Sequence, residues 1–171
     1  MHRSGRNDRT ESGRSETGQR TASPDWTEHS NLQEPTEPDC GDAAGFRIPL
    51  RVLLVEDSAL LVQRISELVN ALSFVRLEGN VNTEAAAIER LDAGGIDAII
   101  LDLQLHTGSG FGVLKELRKR GTMPPVIVFT NFAIAAYRDS ALALGAAHFL
   151  DKSRDYDQLP SVLKQVSEVA H

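Results

Sequence analysis

Polar residues stand at the ends of four short apolar segments, and their types suit work on a phosphoryl group. They are Glu56 with Asp57, then Asp102, then Thr130, and finally Lys152. If the segments are parallel strands of one sheet, their carboxyl ends meet in one crevice, where open α/β sheets carry their chemistry. Carboxylates, a hydroxyl and an ammonium gathered there suit a divalent metal ion and a phosphoryl group.

Three carboxylates at close quarters repel one another, so at least one of their pKa values would rise unless a cation neutralised them. Hard oxygen ligands with room for water favour Mg²⁺, which Glu56, Asp57 and Asp102 would hold. With that charge screened, a carboxylate oxygen of Asp102 is free to attack phosphorus in line and form an acyl phosphate. Lys152 would balance the phosphoryl oxygens as a point charge, and the Thr130 hydroxyl would donate one hydrogen bond to them.

The hydrophobic period alternates between strand and helix values from Arg51 onward, which predicts five strand–helix units. Residues 52–55, 98–101 and 126–129 are apolar throughout, as is typical of strands buried on both faces. The segment that begins at Val75 alternates apolar and polar residues, which indicates an edge strand. The predicted fold is α/β: a doubly wound, five-stranded parallel sheet of flavodoxin-like order 2-1-3-4-5, with helices on both faces.

Capping residues and glycines predict where several elements begin and end. Ser58 and Thr83 are the expected N-caps of the first and second helices, and Gly121 the expected end of the third. The fifth strand is predicted over 146–150. The last helix is expected to place one stripe of apolar residues on the sheet: Leu159, Val162, Leu163, Val166 and Val169.

The first 45 residues differ in composition from the rest. Apart from Met1, Trp26 and Leu32 are their only large apolar side chains, too few to offset the entropy of ordering the segment. We therefore expect a disordered polar tail over 1–46 and one folded domain over 47–171.

Composition excludes several classes of function. A formal net charge of −6 argues against a general nucleic-acid binder, so no direct nucleic-acid partner is expected. No apolar run is long enough to span a membrane and no secretion signal is visible, so we expect a cytoplasmic protein. The single cysteine, Cys40, excludes an intramolecular disulfide.

The chain resembles the receiver domains of two-component response regulators over roughly residues 50 to 170. The matching motifs are Val-Leu-Leu-Val-Glu-Asp-Ser, Ile-Ile-Leu-Asp-Leu-Gln-Leu with its Gly-Ser-Gly turn, Val-Phe-Thr-Asn, and Ala-Leu-Gly-Ala-Ala-His-Phe-Leu-Asp-Lys. The resemblance implies that Asp102 is the phosphoacceptor, that Glu56 and Asp57 hold Mg²⁺, and that the backbone carbonyl of Gln104 completes the metal site. It also implies that Thr130 and Lys152 bind the phosphoryl group, and that Phe149 occupies the position of the family's aromatic rotamer switch.

The same resemblance implies the partners. A histidine kinase or a histidine phosphotransfer protein would donate the phosphoryl group, and a downstream protein would bind the face formed by the fourth helix, fifth strand and fifth helix. The residues after Lys152 suffice for one helix, so we expect a stand-alone receiver without an output domain, which is not an enzyme. A phosphorelay intermediate, a phosphate sink and a phosphorylation-independent pseudo-receiver stay open as alternatives.

Two departures from the family pattern bear on this interpretation. Asn131 follows Thr130 where a small residue is usual, so access to the site or phosphoryl lifetime is expected to differ. Ser153 follows Lys152 where many members have a cis proline, so the last loop is expected to have its own shape. A haloacid dehalogenase type of phosphatase would need an acid at position 104, which is Gln.

Each site residue also has an ordinary structural interpretation. Taken singly, Asp57 is consistent with a turn acid before a helix, Thr130 with a helix N-cap, and Lys152 with a solvated surface charge. All of these alternatives would have to hold together at four strand ends, and we therefore favour the phosphoacceptor interpretation.

Overall fold

The architecture was obtained as a computed structural model, which describes residues 48–121 and 123–170. Its strands are β1 (Leu50–Val55), β2 (Val75–Val81), β3 (Ala98–Leu101), β4 (Val126–Thr130) and β5 (His148–Asp151). Its helices are α1 (Ala59–Asn70), α2 (Glu84–Asp92), α3 (Gly110–Arg120), α4 (Ala135–Ala143) and α5 (Leu159–Val169), and one 3₁₀ turn (Tyr156–Gln158) precedes α5. The predicted tail over 1–46 lies outside the described residues.

The five strands form one parallel sheet in the order β2-β1-β3-β4-β5, which confirms the predicted fold. Side chains of β1 alternate between two cores because successive strand residues point to opposite faces. Val52 and Leu54 pack in the core with α1 and α5, whereas Leu53 and Val55 pack in the core with α2, α3 and α4. Helices therefore cover both faces, as the uniformly apolar central strands predicted.

Local sequence signals explain several boundaries. Thr83 caps α2 as predicted, since its Oγ1 accepts the N–H of Ala86 at 3.2 Å. Gly121 ends α3 at a φ of +74°, a left-handed conformation that glycine adopts without steric cost. On the edge strand β2, Val75 is buried while Arg76 is exposed, in agreement with the alternating pattern.

Ser58 is the N-cap residue of α1 as predicted, but its side chain makes no capping hydrogen bond; its backbone N–H instead donates to Glu56 Oε1 at 3.2 Å. Two other local expectations were wrong in detail. Val169 is 89% exposed, because it is the last residue of α5 and no described residue packs over it. Strand β5 begins at His148 rather than at residue 146. Among the described residues, no helix is both long and apolar enough to cross a bilayer.

Candidate functional site

Strand register places the acidic residues side by side. Val55 of β1 pairs with Leu101 of β3, so Glu56 and Asp102 are the next residues at the same edge of the sheet. The N–H of Asp102 donates to the carbonyl oxygen of Val55 at 2.9 Å and extends the ladder by one bond. The central position of β1 and β3 therefore puts two buried carboxylates next to each other.

Glu56, Asp57 and Asp102 form one cluster that suits a cation. Each offers a carboxylate oxygen, and these oxygens all lie within 4.8 Å of one another. Glu56 and Asp102 are 2% and 8% exposed, whereas Asp57 is exposed to solvent. Three carboxylates with a solvent-facing side match the oxygen ligands and residual waters that Mg²⁺ prefers.

Lys152 lies between two of these carboxylates. Its Nζ is 2.5 Å from Glu56 Oε2 and 2.6 Å from Asp102 Oδ2, and the residue is only 7% exposed. The interpretation of Lys152 as a solvated surface charge is therefore wrong. A buried ammonium with two anionic partners offsets part of the repulsion inside the cluster.

The remaining oxygen of each buried carboxylate is held by the backbone. Glu56 Oε1 accepts the N–H of Ser58, and Asp102 Oδ1 accepts the N–H of Gln104, both at 3.2 Å. Each acid therefore bonds Lys152 through one oxygen and a backbone amide two residues along through the other. Burial raises the pKa of Glu56 above its ordinary value, and the hydrogen bond from Lys152 acts in the opposite direction.

Strand register also brings Thr130 and Lys152 to the same edge. Thr130 of β4 pairs with Asp151 of β5, and the N–H of Lys152 donates to the carbonyl oxygen of Thr130 at 3.0 Å. Thr130 is fully buried, and its Oγ1 accepts the N–H of Phe132. It does not cap α4, because that helix begins at Ala135 with Ile134 as its N-cap.

Phe149 lies apart from the carboxylates. Its ring is 4% exposed and packs in the core shared with α2, α3 and α4. The guanidinium carbon of Arg138 on α4 lies 5.5 Å from the ring centroid, which is cation–π distance. The side chain is therefore turned inward in this structure, and Arg138 covers it from the solvent side.

A cavity of about 610 Å³ opens over the acidic cluster. Its walls come from the ends of β1, β3 and β4, and they include Asn131, which stands at the mouth as an exposed residue. Sequence reasoning missed Ser58, His106 and Ser109 in this lining. The only signal in the sequence is that these residues stand close to Asp57 and Asp102 along the chain, because serine and histidine by themselves do not indicate a binding site.

The sequence matches the family described as response regulator receiver domain over residues 52–164. Among curated proteins it is 32% identical over 122 residues to the response regulator protein PmrA of Pseudomonas aeruginosa, a match that covers 69% of this chain and 52% of that protein. It is 31% identical over 105 residues to a protein-glutamate methylesterase/protein-glutamine glutaminase of Treponema denticola, covering 60% of this chain and 28% of that protein. The chain thus spans about half or less of the length of these two relatives.

Solved structures show the same fold. The response regulator domain of Thermotoga maritima CheB superposes with a TM-score of 0.63 at 23% identity, over 72% of this chain and 97% of that one. The phosphorylated cyanobacterial phytochrome response regulator RcpA superposes with a TM-score of 0.59 at 27% identity, over 71% of this chain and 93% of that one.

Proposed function

The chain belongs to the response regulator receiver domain family, and we propose that it accepts a phosphoryl group on Asp102 in an Mg²⁺-dependent reaction. One observation carries the proposal: Lys152 bonds Asp102 inside a cluster of three carboxylates beneath an open cavity. Receiver domains take their phosphoryl group from histidine kinases or histidine phosphotransfer proteins, and this is the class of donor that we propose here.

The metal-holding residues in this proposal are Glu56, Asp57 and Asp102, with the backbone carbonyl of Gln104. A bound Mg²⁺ supplies positive charge that offsets the carboxylates and the phosphoryl oxygens. Two of the three carboxylates are already fixed by backbone amides and by Lys152, so few side chains need reordering to bind it.

Phosphoryl transfer is then a displacement at phosphorus. A carboxylate oxygen of Asp102 forms the new O–P bond while the P–N bond to the donor's imidazole breaks, and the leaving nitrogen keeps the bonding pair. Lys152 stabilises the charge on the phosphoryl oxygens because its ammonium already lies 2.6 Å from Asp102 Oδ2. The Thr130 hydroxyl donates to the same oxygens once the phosphoryl group is present.

The test is metal-dependent labelling by a small phosphodonor. Acetyl phosphate should phosphorylate the wild-type protein in Mg²⁺ but not in excess EDTA, and the product should be alkali-labile. D102N should not be labelled, whereas D139N, which removes an exposed aspartate on α4, should be labelled like the wild type. Labelling of D102N, or full labelling in EDTA, would overturn the proposal.

Output in this proposal passes through the face formed by α4, β5 and α5. Two apolar residues of α4 and its N-cap are exposed, Ile134 at 55% and Leu142 at 43%, which supports a protein partner there. Phosphorylation would draw the Thr130 hydroxyl toward Asp102 and alter the packing around Phe149.

Thr130→Ala separates phosphorylation from output. The variant should still accept phosphate, because Asp102 and the metal ligands are intact. Beryllofluoride should shift the amide NMR signals of α4 and β5 in the wild-type protein, but much less in T130A. Equal shifts in both proteins would show that Thr130 does not link the site to this face.

A further inference from the structure

Glu84 lies at the start of α2, yet its carboxylate binds the loop that follows β3 (residues 102–109). Its Oε2 accepts the N–H of Ser109 at 2.9 Å, across 25 residues of sequence. Its own N–H donates to the carbonyl oxygen of Thr107 at 3.2 Å, and Thr83 forms an isolated parallel bridge with Thr107. Side chain and backbone of Glu84 thus fasten the same loop to α2.

Two glycines make room for this side chain. A Cβ atom at Gly112 would lie 2.1 Å from the carboxyl carbon of Glu84, and one at Gly108 would lie 2.4 Å from its Cβ. Gly108 also has a φ of +83°, which other residues rarely adopt. Glycine is disfavoured inside a helix, so its presence at position 112 of α3 is explained by the carboxylate that it admits.

The position of Glu84 is also electrostatically favourable. The residue is the first of α2, and its carboxylate reaches Ser109, the N-cap of α3, so it lies near the positive ends of two helices. Ser109 in turn accepts the N–H of Gly112 through its hydroxyl at 3.1 Å. Glu84 thus satisfies the Ser109 amide at the start of α3, and the Gly112 amide is shared between the hydroxyl and the carbonyl oxygen of Ser109.

The fastened end of the loop is joined to the proposed metal site. Ser109 pairs with Gln104 in an isolated antiparallel bridge, and the N–H of Gln104 donates to Asp102 Oδ1. The N–H of Gly110 donates to the carbonyl oxygen of Leu103 at 3.0 Å and closes the same loop at its base. Consecutive contacts therefore connect the Glu84 carboxylate, the backbones of Ser109 and Gln104, and the Asp102 carboxylate.

We propose that Glu84 is a positioning residue: by holding Ser109 it fixes the backbone of Gln104, whose carbonyl oxygen would be a ligand of Mg²⁺ in the proposed function. This inference rests on the proposed function, since it assigns Glu84 to the metal-dependent step at Asp102. Glu84 does not touch the reacting atoms. Because Glu84 already holds the loop, less of the loop has to be ordered when the metal binds, and the affinity for Mg²⁺ is higher.

The test compares E84A with E84Q and with E89A. E84A removes the acceptor for the Ser109 amide, E84Q keeps an acceptor oxygen without the charge, and E89A removes an exposed carboxylate from the same helix. In E84A, Mg²⁺ affinity, followed by amide NMR shifts, should fall by roughly tenfold, as for other residues that hold a metal ligand in place. The phosphorylation rate in saturating Mg²⁺ should stay near that of the wild type. E89A should behave like the wild type, and E84Q should retain most of the Mg²⁺ affinity, because it keeps the acceptor oxygen and loses only the charge near the two helix N-termini.

Hydrogen exchange in the metal-free protein distinguishes this proposal from the proposed function. The Ser109 and Gln104 amides should exchange faster in E84A than in the wild type, whether or not the protein is ever phosphorylated. G112A retains Glu84, but its added methyl group would occupy the space of the Glu84 carboxylate. It should therefore show both the lower Mg²⁺ affinity and the faster amide exchange that are expected for E84A. Failure of the proposed function would instead appear in the wild type, as absent Mg²⁺ binding or absent labelling.

Two outcomes would overturn the assignment of Glu84. If E84Q were as impaired as E84A, its charge rather than its hydrogen bond would matter. If E84A bound Mg²⁺ and exchanged its loop amides like the wild type, Glu84 would not position the loop.

Discussion

At the scale of single residues, Lys152 lowers the electrostatic cost of burying two carboxylates of the acidic cluster. Two carboxylates that are almost fully buried would be costly in a region of low dielectric without a compensating charge. Lys152, which directly follows β5, supplies that charge, and it bonds both Glu56 and Asp102. We expect the same ammonium to stabilise the metal-free fold and, in the proposed function, to bind the phosphoryl group.

Lys152→Met should therefore destabilise the metal-free protein. Removing one partner of a buried ion pair leaves uncompensated charge, and a loss of roughly 3 kcal/mol in the free energy of unfolding is expected. Mg²⁺ should restore part of the loss, because it replaces the missing positive charge. Urea unfolding with and without Mg²⁺ measures both effects, and K164M, which removes an exposed lysine on α5, is the matched control. Equal stability of K152M and wild type would show that the pair makes no net contribution.

At the scale of elements, the sequence predicted which residues of the candidate site lie close together wherever strand order and register alone determine their positions. Glu56 and Asp102 follow paired residues of β1 and β3, so their proximity follows from the strand order. The bond between Lys152 and Glu56 was not predicted, because it depends on side-chain conformation across two intervening strands. The hydrogen bond between Glu84 and Ser109 was missed for a similar reason: a glutamate in the first turn of a helix is ordinary, and its partner lies in another loop.

The loop from β5 to the 3₁₀ turn is held by hydrogen bonds between its own residues. The absence of proline after Lys152 predicts a loop shape that differs from that of many family members, and this stays a prediction. Asp151 Oδ1 accepts both the N–H and the hydroxyl of Ser153, and the N–H of Asp151 donates to Asp155 Oδ2 at 3.0 Å. Hydrogen bonds to the carboxylates of Asp151 and Asp155 thus close the turn that contains Lys152.

Ser153→Ala should change the titration of Asp151. The hydrogen bonds from Ser153 are the main cause that lowers the pKa of Asp151 below its ordinary value. Such a group stabilises the fold above its unfolded-state pKa and loses that contribution as the pH falls through its folded-state pKa. In S153A the hydroxyl donor is lost, so the pKa of Asp151 should rise and its contribution to stability should begin to fall at higher pH. Carboxyl NMR titration measures the pKa of Asp151 directly, and S167A, on α5, is a control. An unchanged Asp151 titration would contradict this account.

At the scale of the whole molecule, every residue of the proposed site lies in the described part of the chain. Both cores include side chains of β1, which starts at the fully buried Leu50. The N–H of Leu50 already donates to the carbonyl oxygen of Phe74, so the sheet is paired from its first residue. Every residue assigned to the metal or to the phosphoryl group lies after this point. Residues 1–47 are outside the described part of the chain, and composition alone predicts their behaviour.

Deleting residues 1–45 should leave both the melting temperature and the rate of phosphorylation by acetyl phosphate nearly unchanged. Apart from Met1, the segment has only Trp26 and Leu32 as large apolar side chains, too few to add a packed layer to either core. The comparison uses the full chain and the truncated chain under identical Mg²⁺ concentrations. Trp26 is the only tryptophan, so its fluorescence reports on this segment alone. A change in that fluorescence when beryllofluoride binds, together with slower phosphorylation of the truncated chain, would show that the segment takes part in the switch.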